Sequence, residues 1–292
     1  MISKITAIIM TIVSLFTSMG GGLPSKQVVY SDVAYGTHSR QVMDVCFPKE
    51  YEETMGVMLY LHGGGWRSGD KSSFLSKAKA MSNKVNCIAV TMNYRYADGS
   101  VNCTDLLKDI DSALSKIKSM AETRGIKCTK VMLLGHSAGA HLSMLYAYAK
   151  KNSAPIKPAA VVSYSGPPDL SSKKFIENSS SENADTMRQL MTNLTGVKIT
   201  KENFDSRKNH LLKYSPVKYV SADCVPTIVV HGKLDTVVPV ADARTFVNTL
   251  KSKGCTYKYF ELPNSGHNLE GDQALFEQSN EAVIAYALKY LK

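Results

Sequence analysis

The hydrophobic pattern alternates between two periods along most of the chain. Apolar runs at residues 27–35, 41–47, 56–61, 87–92, 131–134, 159–164, 226–230 and 257–262 read as strands. The first two flank a turn around residues 36–39 and read as a hairpin. Between the later runs the period changes to three and four. Leu106, Leu107, Ile110, Leu114, Ile117 and Ala121 mark one amphipathic helix, capped by Thr104 or Asp105. Similar patterns predict helices over residues 72–83, 140–147, 242–253 and 272–291, with Gly254 stopping the one over 242–253. Strands separated by helices imply a mostly parallel sheet of about eight strands with helices on both faces. The expected class is α/β.

Two segments break this rhythm. Residues 170–218 are rich in Ser, Asn, Lys and Thr, with one modest helical stretch around 184–194. They read as a cap inserted above the C-terminal edge of the sheet and as the source of substrate contacts. At the N-terminus, Lys4 is the only charge before an apolar run over residues 5–16. That run is shorter than the roughly 20 residues a bilayer-spanning helix needs. With Ser18, Gly20, Gly21 and Gly22 behind it, it fits a secretory signal peptide over residues 1–22. An uncleaved anchor is the alternative. Residues 23–292 would then form one α/β domain with a cap. It would be secreted or held in the cell envelope, with no stable membrane span once the signal is removed.

Three post-strand loops carry the chemistry. The run Val131-Met132-Leu133-Leu134 leads into Gly135-His136-Ser137-Ala138-Gly139 and then a helical pattern. Strand, tight turn and helix are the context in which G-x-S-x-G presents a nucleophilic serine. Serine needs a base, and the base needs an acid to orient it. His267 follows the last strand, between Gly266 and Asn268, and Asp235 follows the strand before it. The other histidines fit less well. His62, His136 and His141 lie in the glycine loop or around Ser137, His231 shares the Asp235 loop, and His38 and His210 lie away from strand ends. Asp242 suits the first turn of a helix, and Asp169 is the fallback acid. In a parallel sheet, Ser137, Asp235 and His267 would meet on one edge. The third loop, His62-Gly63-Gly64-Gly65-Trp66, follows the third strand. Consecutive glycines bare the backbone N–H groups, and neither phosphate-binding pattern of spaced glycines is present. Together with Ser137, the loop reads as an oxyanion hole.

Composition narrows the partners. A hydrophobic fraction of 44% is enough for a large core. The net charge of +10 would suit anionic partners, but the 35 lysines and arginines are scattered, so nucleic-acid binding is not expected. The six cysteines include no C-x-x-C, so neither a metal site nor a redox motif is supported. Cys224 and Cys255 each precede a strand and would start side by side if those strands are neighbours. A disulfide between them and two free thiols are both open at this point.

Together these stretches resemble the α/β-hydrolase superfamily, close to esterases with a His-Gly-Gly-Gly loop. That group includes hormone-sensitive-lipase-like carboxylesterases and feruloyl and acetyl-xylan esterases. The matching stretches are residues 62–66, 93–95, 135–139, 231–235 with Val238-Pro239, and Gly266-His267, in that order. The resemblance implies the α/β-hydrolase fold and a cofactor-free serine esterase acting on small or polysaccharide-linked esters. It also implies that Gly64, Gly65 and Ala138 donate the oxyanion-hole N–H groups. Trp66 would pack near the acyl pocket, although a core tryptophan is an equal reading. Lipase-like members often carry a longer N-terminal helical cap, whereas here the extra segment is 170–218. That favours the feruloyl- or acetyl-esterase-like branch. A serine peptidase or amidase on the same fold is the rival reading, and a non-catalytic binding protein is a remoter one.

Overall fold

A computed structural model describes residues 26–177 and 181–292. The candidate signal segment, residues 1–22, lies outside the described residues. Eight strands form one sheet: β1 (Val28–Ala34), β2 (Val42–Phe47), β3 (Val57–Leu61), β4 (Ile88–Met92), β5 (Lys130–His136), β6 (Lys157–Tyr164), β7 (Thr227–Gly232) and β8 (Tyr257–Leu262). Their spatial order is β1-β2-β4-β3-β5-β6-β7-β8. β1, β2 and β4 pair antiparallel, and every pairing from β4 through β8 is parallel. The C-terminal ends of β3, β5, β7 and β8 therefore share one edge. The strand order reverses where β3 lies between β4 and β5, and such reversals open a crevice at the sheet's C-terminal edge.

The central strands are buried on both faces, which explains their unbroken apolar runs. Side chains alternate between two cores. Val57, Leu59 and Leu61 of β3 join Val131 and Leu133 of β5 in one, and Met58, Tyr60, Met132 and Leu134 enter the other. Helices α1 (Leu75–Lys84) and α8 (Gln273–Tyr290) cover the second face with Ala78, Met81, Val283 and Tyr286. Helices α2 (Cys103–Glu122), α3 (Ala138–Ala149) and α7 (Val240–Ser252) cover the first. Each fully buried Leu, Ile or Val in these layers contributes roughly 1.5–3 kcal/mol.

Local corrections to the sequence reading are small. The cap of α2 is Asn102, not Thr104 or Asp105; its side chain accepts from the Thr104 N–H while Asp105 reaches back to the Asn102 N–H. The helix expected from residue 72 begins as a 3-10 turn, Lys71–Phe74, before α1. The cap segment is more helical than expected. It contains α4 (Lys173–Glu177), α5 (Ser181–Thr195) and α6 (Phe204–Leu212), followed by a 3-10 turn at Pro216–Tyr219. Cys224 and Cys255 form a disulfide with Cα atoms 6.1 Å apart, joining the chain before β7 to the chain before β8. Cys46, Cys87, Cys103 and Cys128 are free and buried. Among the described residues no helix is long and apolar enough to cross a membrane.

Candidate active site

Ser137 lies between β5 and α3 with φ 52° and ψ −118°. A non-glycine residue held there is strained, and such strain clusters at functional turns. The turn holds because its neighbours have no room for larger side chains. A Cβ on Gly139 would overlap the carbonyl oxygens of Leu61 and His62, and one on Gly135 would overlap Gly139. All of these obstacles are backbone. Gly139→Ala is therefore expected to destabilise the protein by roughly 3 kcal/mol through forced separation of α3 from β3. Urea unfolding checks this; an unchanged midpoint would contradict the packing.

The candidate acid and base, Asp235 and His267, follow β7 and β8. Asp235 is 5% exposed. Its Oδ1 accepts the N–H groups of Val237 and Val238, both at 2.8 Å. Its Oδ2 lies 2.8 Å from His267 Nδ1 and 3.3 Å from His231 Nε2. Burial opposes the Asp235 charge, but the hydrogen bonds from His231 and His267 outweigh it and hold the carboxyl well below the usual carboxylate range. With Nδ1–H donating to Asp235, Nε2 is the ring atom of His267 left to accept a proton. Asp169 instead accepts from the Ser171 N–H and hydroxyl. Asp242 sits in the first turn of α7 and accepts from Ser172. Neither alternative acid has a hydrogen bond to His267.

Two supports were not anticipated. The His231 ring shares its Nε2 proton between Asp235 and the Val238 carbonyl, which is 2.9 Å away. His136, the residue before Ser137, has Nε2 3.0 Å from the His267 carbonyl oxygen. Because a carbonyl only accepts, His136 donates, tying the His267 loop to the Ser137 turn. A histidine inside G-x-S-x-G was visible in the sequence, but its partner, 131 residues away in the chain, was not.

The glycine loop is braced from below. Gly64 and Gly65 have φ of +108° and +57°, which glycine adopts at little cost. Among the described residues no acceptor meets their N–H groups, and Ala138 N–H lies in the first turn of α3, where no intrahelical acceptor exists. Tyr94 donates its hydroxyl to the His62 carbonyl at 2.8 Å and stacks on the His62 ring at 4.3 Å. His62 donates Nδ1–H to the Gly63 carbonyl and accepts from Arg40 at Nε2. Arg95, the last member of the Asn93-Tyr94-Arg95 run, pairs with the buried Asp109 of α2.

Gly64, Gly65, Trp66, Ser137, Ala138 and His267 line one cavity of about 300 Å³. The cap contributes Phe175, Met187 and Leu190 to its wall. Trp66 is 2% exposed in the core and borders the cavity. Its ring meets His141 edge-on, with centroids 5.2 Å apart.

Burial pushes His62 and His141 down to about 4. In the unfolded chain a histidine protonates near pH 6.5. Between pH 6.5 and 4 the unfolded state thus binds more protons, so stability falls as pH falls. The expected loss is on the order of 3 kcal/mol for each of the two histidines. A urea midpoint that stays flat from pH 7 to 4.5 would contradict buried, neutral rings. His141→Gln should flatten part of the slope.

The sequence and the fold have counterparts among known proteins. The probable carboxylic ester hydrolase LipM of Mycobacterium tuberculosis is 27% identical over 81% of this chain. The aligned region is 55% of LipM, so this chain spans little more than half of its relative's length. Esterase B from Lactobacillus rhamnosis superposes with a TM-score of 0.72 at 18% identity, covering 99% of this chain and 96% of that one. A truncated carbohydrate esterase from gut microbiota also gives 0.72, at 16% identity, covering 93% of this chain and all of that one. These likenesses mark the fold as that of α/β-hydrolases. The BD-FAE family model matches residues 43–250, from within β2 into the last turn of α7, and the chain belongs to that family.

Proposed function

We propose that the chain is an exported serine carboxylic-ester hydrolase acting on short-acyl or carbohydrate-linked esters. The carrying observation is the 2.8 Å hydrogen bond from His267 to buried Asp235, with His267 and the strained Ser137 lining one cavity together with the glycine loop. Ser137 Oγ attacks the ester carbonyl while His267 Nε2 takes its proton. Asp235 fixes the tautomer of His267 and stabilises the imidazolium. The N–H groups of Gly64, Gly65 and Ala138 stabilise the tetrahedral oxyanion, each lowering the barrier by about 3 kcal/mol. His267 returns the proton to the leaving alcohol, and water then cleaves the acyl-enzyme by the same steps. The chemistry calls for no metal or organic cofactor. Two further points support the reading: the relatives named as a probable carboxylic ester hydrolase and as an esterase, and the apolar cap wall of Phe175, Met187 and Leu190, which suits a small acyl group. The apolar run at residues 5–16 motivates export.

The test is hydrolysis of acetyl, butyryl and octanoyl aryl esters, acetylated xylan and methyl ferulate by the purified protein. The expected result is turnover of short esters, with octanoyl esters slower because the cavity is only about 300 Å³. Release of acetate from xylan or of ferulate places the substrate among cell-wall carbohydrate esters. Turnover of aminoacyl arylamides with no ester hydrolysis would overturn the reading in favour of a peptidase.

A further inference from the structure

A second cavity, of about 430 Å³, lies beside the first. Gly64, His136 and Asn268 line both, so they form the partition between the two. That shared wall adjoins both Ser137 and His267, since His136 precedes the one and Asn268 follows the other. The second cavity is built differently. Phe74, Tyr164, Leu269 and Phe276 give it apolar walls, and Lys77 of α1 is the cation in its lining.

The bonding of Lys77 is incomplete. Its Nζ lies 2.8 Å from Asn280 Oδ1 and 3.2 Å from the Tyr164 hydroxyl. It stands 4.8 Å from the Tyr164 ring centroid and 5.4 Å from that of Phe276. An ammonium has three N–H donors, so one is left. Among the described residues no carboxylate forms an ion pair with it. The contrast within the same segment is Lys71, which bonds both Asp32 and Asp44. A half-buried cation bordered by aromatic rings is only partly compensated for lost water, and a carboxylate entering the cavity would complete it. Aromatic walls would cover the apolar body of the same molecule.

The side of the reaction follows from the chain. Asn268 and Leu269 come directly after His267, whose proton must reach the leaving oxygen. We infer that the cavity around Lys77, Phe74, Tyr164 and Phe276 receives a leaving group that is an aryl or similarly apolar alcohol carrying a carboxylate. This rests on the ester-hydrolase reading and names the substrate class within it.

The experiment compares kcat/KM for meta-acetoxybenzoate, phenyl acetate and phenyl hemisuccinate, alongside calorimetric binding of benzoate. The proteins are the full chain, Lys77→Met, Lys77→Arg and Lys79→Met. Lys79 is an exposed lysine of the same helix, so it reports the general effect of the +10 surface charge. The wild-type protein should favour meta-acetoxybenzoate over phenyl acetate by about tenfold, the effect of one charged hydrogen bond. Lys77→Met should abolish that preference, lowering kcat/KM for meta-acetoxybenzoate about tenfold relative to phenyl acetate, and should weaken benzoate about tenfold. Lys77→Arg should keep the preference and Lys79→Met should not alter it. Equal loss in Lys79→Met would reduce the effect to overall charge and overturn the site. A Lys77-dependent preference for the hemisuccinate instead would overturn the leaving-group placement. Absent turnover with Lys77-dependent benzoate binding would uphold the cavity and bring down the ester-hydrolase reading. Benzoate binding that ignores Lys77 would overturn the cavity whatever the turnover.

Discussion

Ser137→Ala is expected to lower kcat on a short aryl ester about a million-fold while leaving the protein folded. The size of the loss follows from the chemistry. In the proposed mechanism, loss of Oγ closes the covalent route and leaves His267 only water to activate, which the site does not position. Removal of a triad serine elsewhere has cost about that factor, with a residual acceleration from the oxyanion hole and binding. The backbone argument makes alanine the right replacement. Alanine at φ 52° bears the same strain as serine, and Ser137 makes no side-chain cap to α3, so no structural hydrogen bond is lost. Thermal unfolding should therefore stay within a few degrees of wild type, while trapping of a radiolabelled acyl group on the protein should disappear. A variant retaining more than a hundredth of wild-type turnover would remove Ser137 from the nucleophile's role.

The parts legible in the sequence were those set by local physics. β8 coincides with its apolar run, residues 257–262, and α2 with the three- and four-residue recurrence of Leu106, Ile110, Leu114 and Ile117. The sheet edge that gathers Ser137, Asp235 and His267 follows once the strands are read as parallel, because each residue comes after a strand. Other features depend on partners distant in the chain. The bond from His136 to the His267 carbonyl and that from Tyr94 to the His62 carbonyl exist only because β3, β4, β5 and β8 end together. The cap was hardest to read. α6 buries only Phe204 and Leu211, so its nine residues carry almost no periodic signal. Short helices of that kind are stabilised by what they pack on rather than by their own pattern. The pairing of Cys224 with Cys255 needed the adjacency of β7 and β8, which spacing alone left open.

Asp235→Asn tests Asp235 as the proposed orienting acid, and the geometry says how it should fail. Oδ1 of Asp235 accepts two backbone N–H groups, from Val237 and Val238. In the asparagine variant that position must keep an oxygen, since an amide nitrogen there would face two donors. The NH2 group is then forced to the Oδ2 position, 2.8 Å from His267 Nδ1 and 3.3 Å from His231 Nε2. It donates to His267 Nδ1, which must give up its hydrogen. The ring proton moves to Nε2, on the side that should receive the proton of Ser137. The base is thereby held in the wrong tautomer, and kcat is expected to fall about ten-thousand-fold. The same NH2 group opposes the N–H of His231, whose ring is fully buried, so the variant should also lose stability by about 1–3 kcal/mol. His231→Phe combined with Asp235→Asn separates the two effects, since removing the opposing donor should restore part of the stability and none of the activity. Asp169→Asn and Asp242→Asn should each retain turnover within about tenfold, because neither carboxylate bonds His267. If Asp242→Asn or Asp169→Asn instead gave the ten-thousand-fold loss and Asp235→Asn stayed active, the acid would have to be reassigned.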